Sequence, residues 1–224
     1  MKKSKVMLFG AMALTAGLAL AACGSSQSSN ADKTYSYIFV NNPDTLDYIT
    51  STRDSTSSIT TNLIDGLLEN DQYGNLIPSM AESWTVSKDG LTYTYKIRQG
   101  AKWYTSEGEE YADVTAHDFV TGLKYAADKK AENLYLVQDS IKGLADYVEG
   151  KSSDFGTVGV KAVDDYTLQY TLNQPETYWN SKTTASILNP VNEAFLKSKG
   201  DDFGSVTPSS ILSNGPYLFK SFTS

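Results

Sequence analysis

The sequence predicts a mixed α+β fold of the α/β class, on three observations. Leu91, Tyr93, Tyr95 and Ile97 alternate with Thr92, Thr94 and Lys96, and Tyr166, Leu168, Tyr170 and Leu172 repeat the pattern. Each alternating run follows a β-rich run and a turn, so each completes a hairpin with one buried and one wet face. Phe119, Leu123 and Ala127 recur at helical spacing between the two hairpins. Finally, 40% of the 224 residues are apolar, enough for a sizeable core in one domain or two small ones.

Taken in order, residues 1–22 carry Lys2, Lys3 and Lys5, an apolar run from Val6 to Ala22, and small residues before Cys23. The run is too short for a stable membrane span and is expected to be a secretory signal. Gly24 to Lys33 is small and polar, the composition of a flexible tether. Tyr35 to Val40 follows as a first strand, broken by Asn41-Asn42-Pro43-Asp44. Asp54 or Ser55 then caps a helix in which Ile59, Leu63 and Leu67 fall at helical spacing, running into Gly66-Leu67-Leu68.

Ala81 to Val86, the turn Lys88-Asp89-Gly90 and the first alternating run make hairpin one. After Gln99-Gly100 come Trp103, an acidic loop with Glu107, Glu109 and Glu110, and a helix from Thr115. There Thr-Ala-His-Asp offers a hydroxyl and, three residues on, the acceptor of a capping pair. Ala131 to Glu149 reads as one helix with a core stripe of Leu134, Val137, Ile141, Leu144 and Val148, ended by Gly150-Lys151. Val158 to Val163, the turn Asp164-Asp165 and the second alternating run make hairpin two, closed by Pro175. Thr177 to Ser186 and Asn192 to Ser198 read as short helices, the latter stopped by Gly200. Asn214-Gly215-Pro216 reads as a turn, and Tyr217 to Phe222 as a strand.

The formal charge is −7, and removing the three lysines of residues 1–22, which hold no acid, takes it to −10. An acidic surface argues against nucleic acid and against a polybasic membrane patch. One cysteine excludes an intramolecular disulfide and a cysteine metal cluster. His117, the only histidine, has no accompanying nucleophile motif and no zinc-ligand spacing. Asp164-Asp165 reads as a solvated turn, the acidic loop lacks a calcium-loop pattern, and no glycine-rich phosphate cradle is present. No catalytic, metal or cofactor residues are therefore expected. Most of the fifteen tyrosines and three tryptophans fall on buried strand faces. Tyr135, Tyr178 and Trp179 escape that pattern and are candidates to line a cleft.

An ordered set of short motifs carries a family resemblance. It comprises Gly66-Leu67-Leu68, Ile77-Pro78, Ala81-Glu82-Ser83-Trp84, Asp89-Gly90-Leu91-Thr92-Tyr93, Ile97-Arg98, Lys102-Trp103 and Thr115-Ala116-His117-Asp118-Phe119-Val120. Further on come Gly159 to Leu168 and Asn214-Gly215-Pro216-Tyr217. Together they resemble the extracytoplasmic solute-binding proteins that serve oligopeptide, dipeptide and nickel ABC importers. The resemblance implies the N-terminal lobe of a two-lobed periplasmic-binding-protein type II fold. Residues 35–64 and 191–224 would form the first part of a discontinuous domain with a mixed sheet, and 65–190 an inserted hairpin-and-helix subdomain. The family's C-terminal lobe would follow Phe222, so the chain is expected to be truncated and to bind weakly alone.

Leu20-Ala21-Ala22-Cys23 also resembles a lipobox, which implies a diacylglyceryl group on Cys23, cleavage before it, and a lipidated tether over 23–34. The function implied is a non-enzymatic lipoprotein on the outer face of a single-membrane bacterium, capturing oligopeptides for a membrane permease. Thr52, Arg53 and Asp54 would lie along the ligand backbone, with Tyr135 as a further contact. Dipeptide, nickel and haem ligands occur in the resembled family, although one histidine speaks against nickel. A surface lipoprotein for peptide sensing or adhesion, or an anchored glycan hydrolase, are the readings from other classes.

Overall fold

The computed structural model describes Ile38 and residues 41–223. The chain divides into two units, Met1–Phe39 and Val40–Ser224, and every element described below belongs to the second. The expected signal, Cys23, the tether and, apart from Ile38, the strand Tyr35 to Val40 lie outside the described residues. Among those described, no helix is long and apolar enough to cross a membrane.

Helix α1, Asp54–Thr60, is short and built from poor helix formers. Its hydroxyls turn back on the helix: Ser58 Oγ donates to the Asp54 carbonyl at 2.6 Å and Thr60 Oγ1 to that of Thr56 at 3.0 Å. The buried face is Thr56 and Thr60, not the expected stripe of Ile59, Leu63 and Leu67. The helix stops before Leu63 and Leu67, which are buried from the irregular segment that follows. There Asn214 stitches the later chain to it, accepting from Asp65 N–H at 3.0 Å and donating to Asp65 C=O at 3.1 Å.

Strands β1 (Leu68–Asn70) and β2 (Leu76–Pro78) form a small antiparallel hairpin that sequence reading missed. Its turn is held by the Asp71 carboxylate, which accepts the Tyr73 and Asn75 N–H groups. The main sheet contains β3 (Ala81–Val86), β4 (Thr92–Ile97), β7 (Val160–Asp164) and β8 (Thr167–Thr171) in the order β3-β4-β8-β7. Both predicted hairpins are therefore present, joined through their inner strands with Tyr93 opposite Tyr170 and Tyr95 opposite Leu168. Tyr93, Tyr95, Ile97, Leu168 and Tyr170 form its buried face, and the intervening threonines and Lys96 point the other way, as a two-residue period requires. The acidic loop resolves into a third hairpin, β5 (Lys102–Tyr104) with β6 (Glu110–Asp113). All three sheets among the described residues are antiparallel; within 35–64 and 191–224, where a mixed sheet is expected, the described residues form no strand, and the expected Tyr35 to Val40 strand lies outside them apart from Ile38.

Helix α2, Ala116–Asp128, starts where predicted. The Asp118 carboxylate accepts the Thr115 N–H at 2.8 Å and the Trp103 indole N–H at 3.1 Å, so one buried acid caps the helix and anchors β5. Phe119, Leu123 and Ala127 are buried, as their spacing predicted. Gly122 lets α2 lie directly on the Asn189 carbonyl, 2.2 Å from where a Cβ would sit.

The expected single helix from Ala131 to Glu149 is two short ones. A 3-10 turn spans Glu132–Leu136, and α3 spans Leu144–Val148. The break has a backbone cause: Lys142 N–H donates to Thr171 C=O, Gly159 N–H donates to Lys142 C=O, and Gly143 sits at φ +71. This stretch spends its main chain on the sheet rather than on a helix. The stripe still faces inward, since Leu134, Val137, Ile141 and Leu144 are all buried. Likewise Thr177 to Ser186 contains only α4 (Trp179–Lys182), followed by a 3-10 turn at Ser186–Leu188, and α5 is Glu193–Lys199. Tyr217 to Phe222 forms no strand, because Tyr217 N–H bonds to Asn62 C=O and no ladder follows.

Candidate functional site

Thr52 and Arg53 link a tight turn to α1, whose first residue is Asp54, and Arg53 is extended at φ −84 and ψ 136. Asp47 builds the turn. Its Oδ1 accepts the Ile49 and Thr50 N–H groups, both at 3.1 Å, and its Oδ2 accepts the Thr50 hydroxyl at 2.6 Å and the Tyr125 hydroxyl of α2 at 2.9 Å. Ser51 links turn to helix, its hydroxyl donating to Thr56 Oγ1 at 3.0 Å and accepting the Arg53 N–H at 3.3 Å. Between these anchors the Thr52 main-chain N–H and C=O make no hydrogen bond among the described residues. A residue with both main-chain groups open, next to the extended Arg53, is what a second extended chain can pair with.

The Thr52 hydroxyl donates to Glu132 Oε2 at 3.2 Å. Glu132 begins the 3-10 turn that carries Tyr135, so the contact brings the two predicted segments alongside one another. Tyr135 is 76% exposed. Arg53 is turned to Asp44, Nε to Oδ2 at 2.9 Å, with both side chains largely in water, where such a pair adds little stability. Asp54 lies in the first turn of α1, where a negative charge complements the helix dipole.

An open cavity of about 350 Å³ adjoins the turn, lined by Thr45, Asp47, Thr50, Tyr125, Lys129 and Phe203. A larger groove of about 500 Å³ lies between α2 and β7, lined among others by His117, Lys142, Lys161 and Gln169. Its ionisable groups do not converge: His117 faces Asp165 at 3.4 Å and both are exposed. Among the described residues no cluster of three or more histidine, cysteine or acidic side chains could hold a metal. The cleft candidates separate. Tyr178 is exposed, with the Lys182 ammonium 5.2 Å from its ring centre, whereas Trp179 is fully buried against Tyr93 and Tyr170. Trp179 is a core residue because α4 turns its indole onto the tyrosine face of the sheet.

The profile of the bacterial extracellular solute-binding proteins, family 5 (middle region), matches residues 75–224. The chain belongs to this family. Family 5 relatives are close: the oligopeptide-binding protein AliB of Streptococcus pneumoniae serotype 4 is 65% identical over 222 residues, 99% of this chain and 34% of AliB. The oligopeptide-binding protein SarA of Streptococcus gordonii is 63% identical over 232 residues, 100% of this chain and 35% of SarA. The solved structure of peptide-bound OppA from Listeria monocytogenes superposes with a TM-score of 0.70 at 33% identity, over 78% of this chain and 33% of that one. The chain thus spans about a third of the length of the curated relatives it matches.

Its described residues carry part of the type II solute-binding-protein fold, and family 5 is a family of binding proteins rather than enzymes. Sequence reading picked out the 52–54 strip but not the groups that hold it. Tyr125 and Glu132 lie off any apolar stripe and gave no signal.

Proposed function

We propose that this chain belongs to the oligopeptide-capturing subunit of an ABC importer, held on the outer face of a single-membrane bacterium through a lipid on Cys23 and delivering peptides to a membrane permease. The observation that carries the reading is the 63–65% identity to proteins named for oligopeptide binding. A ligand of variable sequence is best held through its main chain, with roomy pockets for side chains. The open N–H and C=O of Thr52 supply such a contact, and Arg53, Asp54 and Tyr135 border it. Closure of two lobes around a hinge would bury the peptide and present one shape to the permease. On this reading residues 35–64 and 191–224 belong to the discontinuous sheet domain and 65–190 to the inserted subdomain. The Asn214 and Gly215 N–H groups on the Leu63 C=O, at 3.1 and 2.9 Å, and the Tyr217 N–H on the Asn62 C=O, at 3.2 Å, tie the two stretches of the sheet domain together and support that reading.

Three experiments test the proposal. Short peptides carrying a benzophenone side chain, irradiated with the chain lacking residues 1–22, are expected to label residues 52–54 or 135. Labelling confined to other surfaces would remove the site. By isothermal titration the same chain is expected to bind no tighter than about 1 µM, or roughly −8 kcal/mol. Submicromolar affinity would show that this third of the relatives' length closes a site unaided. For the anchor, metabolic incorporation of a labelled fatty acid is expected to vanish in Cys23→Ala, since two acyl chains suffice for lasting attachment; a labelled variant would refute lipidation there.

A further inference from the structure

We propose that Asp47 and Tyr125 are positioning residues for the ligand strip: the Tyr125 hydroxyl, bound to the Asp47 carboxylate, fixes the 47–50 turn against α2 and so keeps the Thr52 main-chain N–H and C=O open. The inference rests on the reading that residues 52–54 lie along a bound peptide. Neither group touches that peptide.

The geometry is that of a wedge. On one side the turn is seated on residues 203–204, where the Thr45 hydroxyl donates to Gly204 C=O at 2.8 Å. Gly204, at φ +71, approaches so closely that a Cβ there would fall 2.5 Å from Asp47 N. On the other side, among the described residues, the Tyr125–Asp47 bond is the only hydrogen bond from α2 to the stretch 44–54. Tyr125 is itself braced edge-on by Phe203, with ring centres 5.5 Å apart. Asp47 then passes the constraint on: its carboxylate takes two consecutive main-chain N–H groups, and its carbonyl takes the Ser51 N–H at 3.0 Å. Ser51 is the last residue before the open one. A carboxylate with four partners cannot rotate without releasing several of them, so register set at α2 is transmitted to Thr52.

The adjoining cavity makes the proposal testable without unfolding the protein. Water from it can solvate Asp47 Oδ2 when the tyrosine hydroxyl is removed, so Tyr125→Phe should fold. In that variant, hydrogen–deuterium exchange over 48–53 is expected to speed up at least tenfold while the β3-β4-β8-β7 sheet exchanges as before. Benzophenone-peptide labelling of 52–54 should fall at least fivefold. Asp47→Asn keeps an acceptor for both N–H groups and a donor for both hydroxyls, so its rise in exchange should be smaller than that of Asp47→Ala. Unchanged exchange over 48–53 in Tyr125→Phe would overturn the positioning role whatever the peptide does. Faster exchange with undiminished labelling would overturn its connection to the ligand. Absence of labelling in the unaltered chain would instead strike the peptide-site reading, and the exchange comparison would still decide whether Tyr125 holds the strip.

Discussion

Trp179→Ala is expected to lower the unfolding free energy by about 3–5 kcal/mol, the range for emptying an indole-sized space in a packed core. Trp179 is fully buried, with its ring centre 5.3 Å from that of Tyr170 and 6.2 Å from that of Tyr93, so it covers the middle of the main sheet. The same site allows a sharper comparison. The indole N–H faces the Tyr95 hydroxyl without reaching hydrogen-bonding geometry, and the Tyr170 hydroxyl is also unpartnered. An unmet buried donor costs about 1–3 kcal/mol, and Trp179→Phe removes it while keeping an aromatic ring on the sheet. The phenylalanine variant should therefore lose less than half of what the alanine variant loses. Urea titrations followed by circular dichroism measure both; equal losses would mean that the indole N–H is satisfied after all.

The second large effect is centred on Asp118. Burial pushes its carboxyl up from 3.8 to about 6, against the opposing pull of the Thr115 and Trp103 hydrogen bonds and of His117. Because the folded value lies above the unfolded one, the folded chain holds the extra proton between those limits. This group's contribution therefore falls as pH rises from about 4 to about 6, by about 3 kcal/mol in all. Asp71, Asp89 and Asp164 have carboxyls lowered by hydrogen bonds and act in the opposite sense, so the slope of the unaltered protein is a sum. Asp118→Asn isolates one part of it. Its amide oxygen can accept both N–H groups without a charge, so the stability difference between variant and parent should move in favour of asparagine by about 3 kcal/mol from pH 4 to pH 7. Asp118→Ala should instead cost about 2–5 kcal/mol at pH 7, since two buried donors lose their acceptor. A parallel pair of stability curves for parent and asparagine variant would contradict the buried, proton-retaining carboxyl.

The elements legible in the sequence were those whose periodicity is enforced by burial on one side. Tyr93, Tyr95 and Ile97 could be assigned to one face because a strand offers no other way to hide them together, and Phe119, Leu123 and Ala127 likewise fixed α2. Legibility failed where apolar spacing was produced by something other than a helix. Leu134, Val137, Ile141 and Leu144 are all buried, yet Lys142 and Gly143 give their main chain to the sheet, and periodicity carries no information about where a carbonyl points. The short hairpins β1–β2 and β5–β6 were hidden for a related reason. Three- and four-residue strands are too brief to display alternation, and their turns are shaped by Asp71 and by Gly108 at φ +91. The proposed strip, residues 52–54, was reached by counting between motifs. Tyr125, which meets Asp47 from 78 positions away, and Glu132, which meets Thr52 from 80, had no local mark.

The seam between β4 and β8 joins residues 71 to 79 positions apart, from Lys96 with Thr167 to Thr92 with Thr171. On a ribosome adding about 5–20 residues per second, β4 waits roughly 4–14 s for that neighbour to be made. Throughout the wait it is the border of a lone hairpin, with unpaired amides along one side and a row of tyrosines on one face, the profile of a strand that recruits other chains. Until residues 167–171 are in place, that border stays open to pairing with other chains.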